Sequence, residues 1–399
     1  MGDLYHRLQQ IKEQRTSKKN VPNPRSRDRD LRSVSPGPGW NLFSPGVFVR
    51  TVTVPLPSSV SRATMCAPGL VEISPILHPQ REVGAVQPVL VDVETTGLSS
   101  GAGTVAFLIG LGVWASGGVE VTQVYLSDLG AEAAMLSKMV EILQGYTPLL
   151  LVSYNGATFD IPVLRSRAIM TGTKLPPFLH SDLLHPTRRL YRSVIGRCNL
   201  STVEHTVLGL ERELDIPSAE VPERYLRVLR GERPDLLLPV VEHHLYDIAH
   251  LGALLSHLHA ITEVDQPGYV PPGTVPPDPV GVARLFLSRG TAAQRESTQR
   301  WLSTQVTQRV PHWQDHADVL LPLLRKAGDW DGYSAVLRKL QQQRGKVQDF
   351  VNLAIFLEHR EKDYSQALQL VITAANIRGW SSDLVHRAKR LKHKLSRWG

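Results

Sequence analysis

The alternation of apolar and polar residues predicts a strand in the most informative stretch of the chain. In residues 88–98, valines at every second position alternate with Leu90, Asp92 and Glu94. Side chains two apart in a strand point to the same face, so the two carboxylates are predicted to lie side by side. Two carboxylates among apolar side chains are costly unless positive charge lies between them. The pattern therefore predicts either a divalent cation held by oxygen ligands or a solvated strand end before the Thr-Thr-Gly turn.

The same reasoning predicts an ordered series of further elements. The predicted strands cover residues 48–56, 104–113, 119–126, 149–153 and 178–183, and the predicted helices cover residues 131–143, 161–169, 201–208 and 239–259. Hairpin-linked strands followed by α/β crossovers favour a mixed sheet with flanking helices.

Two of these elements carry further candidate ligands. The strand at 149–153 leads into an Asn-Gly turn, after which Thr158 is predicted to cap a helix with Asp160 in its first turn. In the helix at 239–259, His243 and Asp247 are four residues apart and so share one face.

Together these motifs resemble the three exonuclease motifs of the DEDD superfamily, which has a ribonuclease H-like fold. The matching residues are Asp92 and Glu94 with the following Thr-Thr-Gly-Leu, then Asn155, Phe159 and Asp160, then His243 and Asp247. The runs at 182–190, 200–204 and 216–225 look like the YprB-like branch of these proteins, and the whole resemblance covers roughly residues 40–260.

The resemblance implies a metal-dependent nuclease that hydrolyses phosphodiester bonds of nucleic acid, DNA or RNA, as a 3′–5′ exonuclease. It implies two Mg²⁺ or Mn²⁺ ions. Asp92 would bridge both ions, Glu94 and Asp247 would complete the coordination of the first ion, and Asp160 would support the second ion. His243 is the candidate general base, although the superfamily places Tyr four or His five residues before its last Asp. The alternative is a catalytically inactive nucleic-acid-binding or scaffold protein.

Five further residues are candidates for substrate contact. Thr95 and Thr96 set a tight backbone that would position a terminal nucleotide, and Asn155 either hydrogen-bonds the substrate or caps its turn. Arg188 and Arg189 belong to an arginine cluster that either contacts phosphates or forms a solvated face.

The composition of the chain limits the kind of protein it can be but does not decide its function. The chain has 399 residues, of which 42% are hydrophobic and 21% charged, and its net charge of +8 suits a polyanionic partner. Cys66 and Cys198 are too far apart for metal-ligand spacing and fit a reducing compartment. With neither a signal-type segment nor a long apolar run in the sequence, the prediction is a cytoplasmic protein with no membrane partner.

The predicted domains follow shifts in composition along the chain. They are a mobile basic arm at 1–38, the ribonuclease H-like domain at 39–264, a Pro/Gly-rich linker at 265–281 and a helical domain with a basic end at 282–399. In the last of these, Asp329-Trp330 recurs as Asp363-Tyr364, 34 residues on. This period is typical of tetratricopeptide (TPR) repeats, so the prediction is a TPR-like domain that either offers a surface to a protein partner or extends the nucleic-acid surface.

Overall fold

The computed structural model describes two compact units. The first contains residues 35–56, 85–97, 103–183, 210–212 and 216–256, and the second contains residues 77, 184–209, 257–264, 267–268 and 275–398. The predicted basic arm lies outside the described residues except for residues 35–38, and so does Cys66. The predicted domain bounds stay a prediction.

A mixed sheet of seven strands organises the first unit. Its strands are β1 (Asn41–Ser44), β2 (Val47–Pro55), β3 (Gln87–Thr95), β4 (Ala106–Ala115), β5 (Gly118–Leu126), β6 (Leu149–Ser153) and β7 (Leu179–Asp182). Their order across the sheet is β1-β2-β5-β4-β3-β6-β7. β3 runs antiparallel to β4 and parallel to β6, and β6 runs parallel to β7. The prediction of a mixed sheet with flanking helices is confirmed.

Four helices accompany this sheet: α1 (Glu132–Gln144), α2 (Asp160–Thr171), α5 (Val221–Leu229) and α6 (Leu238–Thr262). The central strand β4 is apolar and buried along most of its length, as expected for a strand that is covered on both faces. Its two glycines, Gly110 and Gly112, mark where α6 lies directly on the sheet. A Cβ at either position would collide with Ile248 of α6, so the helix can sit this close only because those side chains are absent.

Nine helices described in the second unit are α3 (Leu184–Ile195), α4 (Leu200–Val203), α7 (Pro279–Arg289), α8 (Ala292–Gln308), α9 (Trp313–Ala327), α10 (Trp330–Gln343), α11 (Val347–Phe356), α12 (Tyr364–Arg378) and α13 (Ser382–Trp398). α4 continues as a π-helical turn over Glu204–Leu208, and α11 does so over Leu357–Glu361. α7 begins at Pro279, inside the segment predicted as a linker. Among the described helices, none is both long and apolar enough to cross a membrane.

The C-terminal helices repeat with the period found in the sequence. α9 and α11 begin at Trp313 and Val347, and α10 and α12 begin at Trp330 and Tyr364, each pair 34 residues apart. The repeated aspartates cap the second helix of each pair: Asp329 Oδ1 accepts a hydrogen bond from the Gly332 backbone, and Asp363 Oδ1 accepts one from Gln366. The region is all-helical, as predicted, and its assignment to the TPR class stays a prediction.

A buried carboxylate ties α13 to the π-helical turn at 357–361. The side chain of Glu358 is fully buried and accepts hydrogen bonds from Arg390 at 2.7 and 2.8 Å, from Lys394 at 2.9 Å and from Arg387 at 3.2 Å. Burial alone raises the pKa of Glu358, but the hydrogen bonds from Arg390 and Lys394 outweigh it and lower the pKa from 4.5 to about 2.

A depressed pKa in the folded state means that ionised Glu358 stabilises the fold above pH 4.5 and that this contribution is lost as the pH falls towards 2. We expect Glu358→Gln to lower the free energy of unfolding at pH 7 by about 3 kcal/mol. The gap to the wild type should close between these two pH values, as measured by denaturant unfolding. In the control Glu361→Gln, which breaks a surface pair with Arg338, the loss should be under about 1 kcal/mol. A gap for Glu358→Gln that does not vary with pH would contradict the role of its charge.

Candidate active site

The predicted ligands on β3 and α6 lie together. One ligand atom each from Glu94, His243 and Asp247 lies within 4.8 Å of the other two. On α6 the one-turn spacing brings His243 Nε2 to 3.2 Å from Asp247 Oδ2. β3 contributes Glu94 from the same strand as Asp92, two residues away, as its period-2 pattern predicts.

Asp160 reaches this group from the first turn of α2, as predicted. Its carboxylate accepts a hydrogen bond from the backbone N–H of Val93, the residue between Asp92 and Glu94. The prediction that Thr158 caps this helix was wrong. The helix begins at Asp160 with Phe159 at the cap position, and Thr158 Oγ1 lies 3.1 Å from both the carbonyl oxygen and Oδ1 of Asn155. Thr158 instead closes the turn that precedes the helix. This turn begins with Asn155, whose backbone is in the left-handed conformation.

Asp182 at the end of β7 holds that turn in place. Its two carboxylate oxygens accept hydrogen bonds from the backbone N–H groups of Asn155, at 2.8 Å, and Ala157, at 3.1 Å. Gly156 lies between them, where a Cβ would press on Ser153 and on the Asp160 carboxylate. Asp182 therefore positions Asp160 through the backbone.

The four carboxylates share a desolvated space and repel one another. Burial raises the pKa of Asp92 well above its ordinary value, and repulsion by Asp160, Asp247 and Glu94 raises it further. Burial, with repulsion by Asp247 and Asp160, raises the pKa of Glu94 to about 8. Burial is also the main cause that raises the pKa of Asp160 to about 7. The four carboxylates therefore need nearby positive charge to be stable in their ionised form.

Arg212 supplies part of that positive charge, although no motif or periodic pattern in the sequence pointed to this residue. Its guanidinium forms an ion pair with Asp247 and lies 3.0 Å from His243 Nδ1, with only 6% of its side chain exposed. A guanidinium has no acceptor, so it donates to Nδ1 and the proton of a neutral His243 imidazole lies on Nε2, facing Asp247. Both ring nitrogens are then engaged, so Arg212 has to move before His243 can accept a proton from water.

His244, the neighbour of His243, links β5 to the backbone of β3 through hydrogen bonds. Gln123 Nε2 lies 2.9 Å from the Val241 carbonyl oxygen and 2.8 Å from His244 Nδ1, to which it donates. His244 Nε2 then donates to the Asp92 carbonyl oxygen at 3.1 Å. Burial lowers the pKa of His244 to about 3, so the ring stays neutral and fixes α6 against β3.

Three of the predicted substrate residues have backbone roles. Thr95 Oγ1 donates to the Gly97 carbonyl oxygen at 2.6 Å, and Thr96 Oγ1 accepts from the Val105 N–H at 3.0 Å, so both hydroxyls fix the backbone after β3. Asn155 shapes its turn, as described above. Arg188 and Arg189 lie on α3 in the second unit. Contact of these residues with substrate stays a prediction.

The donor set fits Mg²⁺ or Mn²⁺. Four carboxylates offer the hard oxygen ligands that these ions prefer, and burial with mutual repulsion makes bound positive charge favourable. Asp92, Glu94, Asp160 and Asp247 would hold the ions. The Glu94–His243–Asp247 group also makes the His243 imidazole a potential metal ligand, in addition to its predicted role as a base.

Comparisons with known proteins agree with this architecture. A family model described as the RNase H superfamily matches residues 89–259, a range that includes the four carboxylates and His243. The Bacillus subtilis (strain 168) protein named Uncharacterized protein YprB is 30% identical over 322 residues, which cover 76% of this chain and 74% of that protein. A family B DNA polymerase from the archaeon Pyrobaculum calidifontis is similar at a TM-score of 0.36 with 15% identity, over 56% of this chain and 30% of that chain. A likeness that low assigns nothing.

The chain thus belongs to the ribonuclease H superfamily. Within it, the extent of the identity makes the chain a homologue of YprB, as the motifs at 182–190, 200–204 and 216–225 had indicated.

Arg212 and a divalent cation would neutralise the same carboxylates. A bound cation should therefore stabilise the fold more when Arg212 is absent. We expect Arg212→Gln to lower the free energy of unfolding without metal by on the order of 3 kcal/mol, because it removes the guanidinium that forms an ion pair with Asp247. Mn²⁺ should then raise the melting temperature more in the variant than in the wild type, as measured by calorimetry with and without chelator. The control Arg224→Gln, which breaks a helical surface pair with Glu220, should respond to Mn²⁺ as the wild type does. An equal Mn²⁺ response in all three proteins would show that Arg212 does not offset the site's negative charge.

Proposed function

We propose that this chain is a metal-dependent nuclease that hydrolyses phosphodiester bonds of nucleic acid, acting on 3′ ends as an exonuclease. The observation that supports this most directly is the meeting of four carboxylates from β3, α2 and α6, elements far apart in sequence, in one desolvated group. Membership of the ribonuclease H superfamily points to the same class of substrate. The DEDD motifs add the expectation of cleavage from the 3′ end.

Hydrolysis requires that water attack phosphorus as the bond from phosphorus to the leaving oxygen breaks. Divalent ions at the four carboxylates would supply positive charge opposite the phosphate oxygens and lower the pKa of a bound water. In this proposal Asp92 would contribute to both ions, Glu94 and Asp247 would help to hold the first ion, and Asp160 would help to hold the second. His243 takes the proton that the attacking water loses, once Arg212 has left its Nδ1.

Arg212 also favours a second candidate, a nucleic-acid-binding or scaffold protein without catalysis. A guanidinium already paired with Asp247 and His243 reduces the negative charge available to metal. In this reading the site is structural, and the helix pairs of the second unit serve interaction. For either candidate, the 34-residue repeat supports a TPR-like region that binds a protein partner.

The two candidates differ in turnover with Mn²⁺. We expect the wild-type protein to shorten labelled oligonucleotides in Mn²⁺ and to stop when a chelator is added. Asp92→Asn and Asp247→Asn should each lower the rate by more than about 100-fold, since even outer partners of metal ligands are worth 10–100-fold. Substrates labelled at the 3′ or the 5′ end, in DNA and RNA and in single- and double-stranded form, report polarity and sugar preference.

Calorimetry separates loss of chemistry from loss of fold in these variants. Because replacing a carboxylate relieves repulsion, Asp92→Asn should keep or raise the melting temperature without metal. A collapse of that temperature in Asp247→Asn would make Asp247 structural. Absence of cleavage by the wild type on every substrate would favour the binding or scaffold protein.

The role of His243 has its own test. As a general base it should contribute about 10²–10⁴-fold, so His243→Ala should lower the single-turnover rate by that factor and change its dependence on pH. Binding of Mn²⁺, measured by calorimetric titration, should persist in the variant. His205→Ala, which removes an exposed histidine of the second unit, is the control. A variant whose pH–rate profile matches that of the wild type would exclude His243 as the base, and loss of Mn²⁺ binding would make it a ligand.

A further inference from the structure

Arginines on α3 and α7 line a cleft in the second unit. The cleft has a volume of about 610 Å³, and Arg188, Arg189 and Arg192 of α3 face it together with Arg284 of α7. This volume lies within the range of about 300–1,000 Å³ typical of ligand pockets. All four arginines are exposed.

Backbone contacts hold the two helices of the cleft together. The Asp278 N–H, just before α7, donates to the Leu190 carbonyl oxygen at 2.7 Å. Gly281 in the first turn of α7 lies so close to the Arg189 carbonyl oxygen that a Cβ would collide with it. The arginines of the two helices are therefore held near one another by main-chain packing, which does not depend on their own side chains.

The positive charge of the cleft is not matched by acidic side chains in the part of the chain that the structure describes. Among the residues that the structure describes, no carboxylate lies within ion-pair distance of Arg188, Arg189, Arg192 or Arg284. Among the described lining residues Asp278 is the only acid, and its carboxylate has other partners. Its Oδ1 accepts from the Val280 N–H and its Oδ2 accepts from Ser193 Oγ, both at 2.9 Å, so that it caps α7.

The spacing of the arginines suits a ligand with repeated negative charges. Arg188 and Arg192 are one helical turn apart and so present two guanidiniums along one face of α3. Their charge also reaches inward, since both lower the pKa of the Cys198 thiol, although burial raises it more. Guanidiniums bind phosphate through paired N–H donors. Of the described residues that line the cleft, none has an aromatic or aliphatic side chain that could stack on a base or enter a membrane.

We propose that this arginine cleft binds the phosphodiester backbone of a nucleic-acid strand, without reading its sequence, as a contact additional to the four carboxylates. The choice of ligand rests on the proposed function. Binding here uses the protein's own cations and needs no metal, so it persists in chelator and weakens as salt rises.

The test is binding of a fluorescein-labelled single-stranded oligonucleotide in chelator, measured by anisotropy over a range of salt concentrations. The triple variant R188Q/R189Q/R192Q should lose at least about 10-fold in affinity, and the slope of log affinity against log salt should become shallower by about 2. The matched control R325Q/K326Q/R378Q removes the same charge from exposed residues in the last turns of α9 and α12. It should bind as the wild type does. Equal losses in the two triple variants would reduce the effect to net charge and overturn the proposal.

Two further measurements identify the ligand and keep this inference distinct from the proposed function. Pyrophosphate or a mononucleotide that displaces the oligonucleotide at equal phosphate concentration would make the cleft a small-anion site and overturn the proposal. Melting temperatures establish that both triple variants fold. A wild type that does not cleave but loses chelator-resistant binding only in R188Q/R189Q/R192Q would refute the nuclease and leave the cleft as proposed. Cleavage by the wild type, with unaltered binding in that variant, would do the reverse.

Discussion

Repulsion among carboxylates that water cannot fully screen is the constraint on which the candidate site depends. Asp92, Glu94 and Asp160 all have raised pKa values because burial and their neighbours disfavour ionisation. Such a group costs folding free energy, so the surrounding structure must hold it together. The Val93 N–H and the Arg212 guanidinium offset part of the charge. Bound cations, as proposed for this site, would offset the remaining charge.

The close packing of α6 on the sheet fixes the positions of the site residues on α6 relative to those on β3. Gly110 and Gly112 allow Ile248 to approach β4, and His244 hydrogen-bonds to the Asp92 carbonyl oxygen. Beneath them, Arg50 of β2 donates to Gln123 Oε1 at 2.6 Å and so orients the amide that meets His244. A neutral buried histidine is well suited to this role, because it links two elements without adding charge next to the carboxylates.

Local patterns predicted much of this site, and contacts distant in sequence account for what they missed. The two-residue period placed Asp92 beside Glu94, and the one-turn spacing placed His243 beside Asp247, because both follow from backbone geometry. Arg212 was missed since it pairs with a residue 35 positions away and lies in no periodic element. β1 was missed because its four residues are largely exposed and do not alternate. Thr158 was misassigned because its hydroxyl had two possible backbone partners, and the turn won over the helix.

Under the two proposals, the two units present opposite charge to a phosphodiester backbone. A phosphate approaching the carboxylates of the first unit would be repelled until cations are bound, whereas the guanidiniums on α3 and α7 would attract it directly. Chelation should therefore act on the first contact and ionic strength on the second. Because screening weakens exposed charges far more than desolvated ones, salt should shift affinity for a strand before it shifts occupancy of the metal site. Recognition and chemistry would then respond to different ions in solution, which follows from the burial of one charged group and the exposure of the other.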